Sequence, residues 1–179
     1  MTYRFEPFDK AVHSREAFDS GVEAVNNYIQ KTASKLDKAD NVRFFVMVDI
    51  EDPKTIVGFY TLNAHVVRAS ELPAKYEKSA ASHGGIPSAF ISMMGVRRDR
   101  QGQGIGALVL TDALKRIVVG AESIGTAVVL LDVLNCNDAE AIGRRHEFYA
   151  RFGFAKLETQ PDRLFLPVAS IRKSFQLAR

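Results

Sequence analysis

The stretch Val96-Arg97-Arg98-Asp99-Arg100-Gln101-Gly102-Gln103-Gly104-Ile105-Gly106 constrains the fold more than any other part of the chain. An apolar, β-prone run, Ala89-Phe90-Ile91-Ser92-Met93-Met94-Gly95-Val96, leads into it. Behind it, Ile105, Leu108, Val109, Ala113, Leu114, Ile117 and Val118 recur at helical spacings, with Thr111, Asp112, Lys115 and Arg116 opposite. The pattern predicts a strand, a Gly-rich turn and an amphipathic helix. Unpaired amides in the turn and the dipole at the helix start both favour a bound anion. Glycines let such a ligand reach the backbone where a β-carbon would block it.

Two familiar phosphate loops do not fit. A dinucleotide fingerprint needs Gly-x-Gly-x-x-Gly, whereas Gly102-x-Gly104-x-Gly106 has the wrong last spacing. A P-loop needs Gly-Lys-Ser/Thr, which does not occur in the sequence. Either a plain Gly-rich strand-to-helix turn or Gln101-x-x-Gly104-x-Gly106 remains. The latter resembles the acyl-coenzyme-A pyrophosphate loop of the GCN5-related N-acetyltransferase (GNAT) superfamily. Further on, Tyr149-x-x-x-Gly153-Phe154 resembles the signature that ends the second coenzyme-binding unit of the same family. The two motifs stand in the family's order, with a predicted strand between them.

Composition narrows the alternatives. The 179 residues suit one domain, 1–179, with a sizeable core, and the 46% hydrophobic and 25% charged shares are those of a soluble globular protein. A single cysteine, Cys136, excludes a disulfide framework and a thiolate metal cluster, and His65 and His83 lack partners at ligand spacing, so no metal site is expected. No apolar stretch approaches the length of a membrane span, and the first residues lack a signal-peptide pattern; a cytoplasmic protein is the expectation. A net charge of +3 and a pI near 9.0 permit an anionic partner without requiring one.

In chain order, Tyr3–Pro7 reads as a first strand. Ser20-Gly21-Val22-Glu23 has capping-box spacing, and Val22, Val25, Ile29, Ala33 and Leu36 predict a helix or broken pair over residues 20–38. Lys31, Lys35 and Lys38 share a face of it, either solvated or turned to nucleic acid. Residues 42–50 and 56–67 predict an antiparallel pair joined through a turn at Glu51-Asp52-Pro53-Lys54. Residues 71–81 have weak helical character, broken at 82–85. A strand buried on both faces is predicted over 126–133, and a helix over 139–150 capped by Asp138. Two strands follow at 154–158 and 163–168, and residues 171–179 form a basic tail.

The family resemblance covers about residues 42–158 and implies an α/β (α+β) GNAT fold. That fold has a mixed, twisted sheet of six or seven strands, flanked by helices and splayed between the fourth and fifth. It implies acetyl-coenzyme A (acetyl-CoA), with backbone groups of Met94, Gly95 and Val96 facing pantetheine. The turn Gln101, Gly102, Gln103, Gly104, Ile105, Gly106 and Ala107 would hold the pyrophosphate. An amine attacks the thioester directly, so the enzyme positions the reactants, supplies donors to the oxyanion and protonates the departing sulfur. Tyr149 occupies the family position for that acid, and an ordinary phenol titrates close enough to a thiol for a near-balanced proton exchange. A Tyr that only packs is the alternative. The chain departs from the family in one spacing. Asn137 stands twelve residues before Tyr149, where the family places an Asn about two helical turns before the Tyr.

A narrower likeness rests on Phe18-Asp19-Ser20-Gly21, Asn26-x-Tyr28, Gly58-Phe59-Tyr60-Thr61-Leu62 and Leu164-Phe165-Leu166-Pro167. These resemble the acetyltransferase toxins of bacterial toxin–antitoxin pairs, which implies the α-amine of aminoacyl-tRNA as acceptor. It also implies a ribbon-helix-helix antitoxin and a homodimer. Lys31, Lys35, Arg97, Arg98, Arg144 and Arg145 are the candidate tRNA contacts. Met93 stands where that subgroup commonly carries an Arg. A small-molecule or protein amine is a second candidate acceptor, and a non-catalytic coenzyme-A-binding module is a reading of another class.

Overall fold

The computed structural model describes residues 2–80 and 82–177. Its strands are β1 (Tyr3–Pro7), β2 (Arg43–Asp49), β3 (Asp52–Arg68), β4 (Gly85–Val96), β5 (Val128–Asp132), β6 (Ala155–Lys156) and β7 (Arg163–Pro167). Its α-helices are α1 (Glu23–Asn27), α2 (Ala33–Lys38), α3 (Ile105–Gly120), α4 (Ala139–Arg151) and α5 (Val168–Leu177). The strands follow one another in a seven-stranded sheet in the order β1-β2-β3-β4-β5-β7-β6. The expected α/β fold is the one observed. The chain divides into two compact units, one of residues up to Asn63 with Ile91–Lys115, the other of Ala64–Phe90 with Arg116 onward.

In the first unit, β1 pairs antiparallel with β2 (Phe5 opposite Met47), and β2 with β3 (Val46 opposite Phe59). The hairpin is tighter than the sequence suggests, because β3 starts at Asp52, which pairs with Asp49. Pro53 is therefore in a strand rather than a turn. Register shifts in β2 around Val48 mark the irregular stretch where a residue without an N–H is tolerated. The predicted first helix is continuous but not uniform, since Tyr28–Thr32 forms a π-helical turn closed by the Ala33 amide on the Tyr28 carbonyl. Val25, Ile29 and Ala33 are spaced by four, and the wider turn keeps all three buried.

The capping box does not form. The N-cap is Val22, without a side-chain cap, and the Ser20 hydroxyl instead donates to Asn26 Oδ1 at 2.8 Å. Phe59 centres the aromatic packing of this unit, meeting Phe18 and Phe44 edge-on with ring centroids 5.3 and 6.0 Å away. Two glycines allow close approach around it. A β-carbon at Gly58 would lie 2.8 Å from Val109 Cγ2, and one at Gly95 2.7 Å from both the Phe59 ring and Val25 Cγ1.

In the second unit, β5 is buried from Val128 to Leu131, as its apolar run requires, and pairs antiparallel with β7 (Leu130 opposite Phe165). Val67, Leu72, Tyr76, Ile86, Val128, Leu130, Leu157 and Phe165 belong to one core cluster. Leu72 and Tyr76 anchor the weakly helical stretch there as two short 3₁₀ turns, Ala69–Glu71 and Ala74–Ser79. Ala81, the end of the predicted stretch, is outside the described residues. Asp138 caps α4 as predicted, its Oδ1 accepting from the Ala141 amide at 3.0 Å. The basic tail is corrected: residues up to 177 form α5, which buries Val168 and Ile171.

Candidate active site

The first unit holds the Gly-rich turn. After a 3₁₀ turn at Arg98–Arg100, Gly102 and Gly104 adopt φ of +74° and +79°, where a side chain would cost about 1–2 kcal/mol. A β-carbon built on either meets nothing within 4 Å, so the turn presents bare backbone to open space. Among the described residues, the backbone N–H groups of Gly102, Gln103, Gly104, Ile105 and Gly106 have no hydrogen-bond acceptor. Five consecutive free donors lead into the first turn of α3, where the helix dipole also favours negative charge. Such backbone suits a pyrophosphate. Ala107 is the first residue whose amide is committed, to Gly104 O at 3.0 Å.

Neighbouring residues brace the turn. The Gln101 side-chain amide donates to the carbonyls of Ser20 (2.9 Å) and Val96 (3.0 Å), and that of Gln103 to the Asp99 carbonyl (3.1 Å). Both side chains therefore hold the loop's shape, leaving the backbone for a ligand. The Asp19-Ser20-Gly21 segment supplies the other half of the brace. Its Asp19 carbonyl accepts from the Arg98 amide at 2.8 Å, and Asn26 bridges the Ser20 amide and the Asp19 carboxylate. Hydrogen bonds from the Gly21 amide and the Asn26 side chain hold the Asp19 carboxyl below its ordinary range. The sequence signature Phe18-Asp19-Ser20-Gly21 with Asn26 thus has a physical meaning: it fixes the turn from behind.

Met94, Gly95 and Val96 end β4, half-buried, and the Arg97 amide pairs with the Val57 carbonyl at 2.9 Å. The Arg97 guanidinium forks onto Asp99 at 2.6 and 2.7 Å, while Arg98 is exposed beside Gly21. Lys31 and Lys35 are exposed, and Lys31 donates to Asn27 Oδ1 at 2.6 Å.

The second unit carries Tyr149, on α4. The extra residues before it extend that helix, so Asn135 and Asn137 fall in the loop ahead of the cap, Asn137 with φ +57°. The Tyr149 ring is 9% exposed, packed near Phe148 and Phe154, and among the described residues its hydroxyl has no hydrogen-bond partner. Burial pushes the phenol up to about 12, opposed by the positive charge of Arg145. The near-balanced exchange expected of an ordinary phenol is therefore corrected. At neutral pH Tyr149 is firmly protonated and gives up its proton less readily than a free Tyr.

Arg144 pairs with Glu140 on the helix surface. Arg145 instead turns inward, donating to the Leu134 carbonyl (3.0 Å) and Cys136 Sγ (2.9 Å). Sequence reasoning missed that arrangement, because nothing in the spacing of Cys136 and Arg145 announces it. It also missed the chain of hydroxyls in the first unit, Tyr28 to Thr61 (2.9 Å) and Ser92 to Asn63 (2.8 Å), on a face that reads as apolar. Among the described residues there is no cluster able to hold a metal ion, and no helix is long and apolar enough to cross a membrane.

The bare-backbone turn that opens α3 is a ready seat for a phosphate-bearing ligand, and comparison with known proteins shows which class of enzyme carries it. Residues 8–154 match the acetyltransferase (GNAT) family model, and the chain belongs to that family of N-acetyltransferases. A probable toxin TacT of Sinorhizobium fredii is 46% identical over 167 residues, 93% of this chain and 92% of that protein. A tRNA-acetylating toxin of Mycobacterium tuberculosis is 30% identical over 156 residues, 87% of each. The crystal structure of AtaTR bound with acetyl-CoA superposes with a TM-score of 0.80 at 26% identity, covering 97% of this chain and 98% of that one. A KacT mutant, at 22% identity and TM-score 0.84, shares the fold.

Proposed function

We propose that this acetyltransferase moves the acetyl group of acetyl-CoA to the α-amine of aminoacyl-tRNA, as the toxin of a toxin–antitoxin pair. The observation that carries the coenzyme half of the reading is the run of five amides from Gly102 to Gly106 without an acceptor among the described residues, on a turn where β-carbons at Gly102 and Gly104 would meet nothing within 4 Å. Those amides would hold the pyrophosphate, and Met94, Gly95 and Val96 would offer backbone groups to pantetheine. When bound, acetyl-CoA supplies a thioester whose acyl carbon bonds to the amine nitrogen as the C–S bond breaks. Tyr149 holds the proton that the departing sulfur takes, and the phenolate is refilled by the proton the acetylated amine sheds. The chain needs no covalent intermediate of its own for this.

The acceptor half rests on the likeness to the TacT and tRNA-acetylating toxins along nearly the whole chain. An ester-linked amino acid has a less basic amine than a free one, which lowers the demand on a general base. Exposed Lys31, Lys35, Arg98 and Arg144 are the side chains we assign to tRNA phosphates. As part of the same proposal we assign the chain one acetyltransferase domain, a cytoplasmic homodimer and a ribbon-helix-helix antitoxin as partner.

Turnover of Tyr149→Phe with charged tRNA tests the assignment. We expect kcat to fall by roughly 10²–10⁴ with coenzyme affinity nearly unchanged. A variant that turns over at the wild-type rate would return Tyr149 to packing alone.

A further inference from the structure

Three groups lie along α4 and the loop that leads into it: Cys136, Arg145 and Tyr149. Arg145 lies four residues before Tyr149, so the two share a helix face. Its guanidinium reaches back to the loop after β5, where Nη1 meets the Leu134 carbonyl at 3.0 Å and Cys136 Sγ at 2.9 Å. Several charged groups in this region have other partners, among them Asp138, whose carboxylate caps α4 and whose backbone amide also bonds the Cys136 sulfur. Arg163 forks onto Asp132 at 2.7 and 2.8 Å, His146 faces Asp162 at 3.3 Å, and Arg144 pairs with Glu140 at the surface. Arg145 has no carboxylate partner among the described residues. A half-buried guanidinium without a counter-ion, one helical turn before a buried phenol, is an arrangement that packing does not require.

We propose that Arg145 is a positioning residue for Tyr149: its guanidinium straps the 134–136 loop to α4 and keeps a positive charge beside the phenol. The proposal rests on the reading of Tyr149 as the acid. Burial holds the phenol proton tightly, and Arg145 is the group that opposes this. The same hydrogen bond lowers the Cys136 thiol below its ordinary value, so the chain's single cysteine reports whether the strap is in place. Arg145 is therefore withdrawn from the phosphate contacts that its sequence position suggested.

The test combines a mutant cycle with thiol titration. Acetyl-CoA turnover on a total aminoacyl-tRNA pool is measured for wild type, Arg145→Met, Arg145→Lys, Tyr149→Phe and the Arg145→Met/Tyr149→Phe double variant. Arg145→Met should lower kcat about tenfold or more, leave KM for acetyl-CoA within about twofold, and be largely rescued by lysine. On the Tyr149→Phe background, Arg145→Met should have no further effect, because its influence passes through the phenol. The rate of Cys136 with a disulfide reagent, followed against pH, should shift to higher pH in Arg145→Met and less in Arg145→Lys.

Equal losses in both backgrounds, or an unchanged thiol profile, would overturn the proposal. If Tyr149→Phe alone keeps wild-type turnover, the acid assignment falls instead, and the single variant distinguishes that outcome. Should the pool not be acetylated at all, the tRNA reading falls, and the thiol profile still decides whether Arg145 holds the loop.

Discussion

Gly104 offers a clean separation of folding from ligand binding. Its φ of +79° costs an L-residue about 1–2 kcal/mol, and a β-carbon there meets no atom within 4 Å. Gly104→Ala should therefore fold, losing only that strain; for a chain of this size each kcal/mol lowers Tm by roughly 2–4 °C, or about 2–8 °C in all. Coenzyme binding should suffer far more. The methyl adds bulk to a turn whose Gly102 to Gly106 amides have no acceptor among the described residues, and hydrogen bonds to a charged group are worth about 1.5–3 kcal/mol each. Displacing one such bond predicts a roughly 10- to 150-fold rise in Kd for acetyl-CoA. Calorimetric titration reads the affinity and thermal unfolding reads the strain. A variant with the predicted drop in Tm and wild-type affinity would refute a pyrophosphate on this turn.

Two further expectations concern stability. Tyr149 is protonated more tightly in the folded chain (about 12) than in an unfolded one (10.0), so its contribution is complete below pH 10 and is lost as pH climbs toward 12. That amounts to roughly 3 kcal/mol over two units, and urea unfolding of Tyr149→Phe between pH 9 and 11 should lack this component of the wild-type decline. Gly58→Ala should cost about 1–3 kcal/mol by overpacking against Val109, whereas Gly143→Ala, in mid-helix with nothing within 4 Å, should gain about 1 kcal/mol; denaturant midpoints of the pair check both.

The elements that the sequence makes legible are those whose local chemistry and tertiary role agree. Val128 to Leu131 read as a doubly buried strand because every side chain is apolar, and Asp138 caps α4 because, among the described residues, no competing partner claims its carboxylate. The Gly102-x-Gly104-x-Gly106 spacing announces a turn with free amides for the same reason. Legibility fails where a side chain has a distant partner. Ser20 has the spacing of a cap, yet Asn26, six residues on, takes its hydroxyl. Residues 171–177 look like a charged tail because the burial of Val168 and Ile171 is sparse in sequence. The side-chain amide of Gln101 donates to two backbone carbonyls, one of them 81 residues away, a bracing role that its place in the motif does not announce. The inward turn of Arg145 toward Cys136 belongs to this group too, since adjacent Arg144 and Arg145 are indistinguishable in a string of letters and only the helix phase separates them.

The most direct measurement of the central claim is acetylation by the purified protein of charged tRNA set against free amines. Radiolabelled acetyl-CoA is offered with a total aminoacyl-tRNA pool, with the same pool deacylated, and with a panel of free amino acids, polyamines and peptides. The account predicts label on the aminoacyl group of charged tRNA and none on deacylated tRNA. It also predicts a rate that falls steeply with salt as phosphate contacts are screened, and loss of labelling in Tyr149→Phe. Ready labelling of a free amine or peptide, with none on charged tRNA, would contradict it.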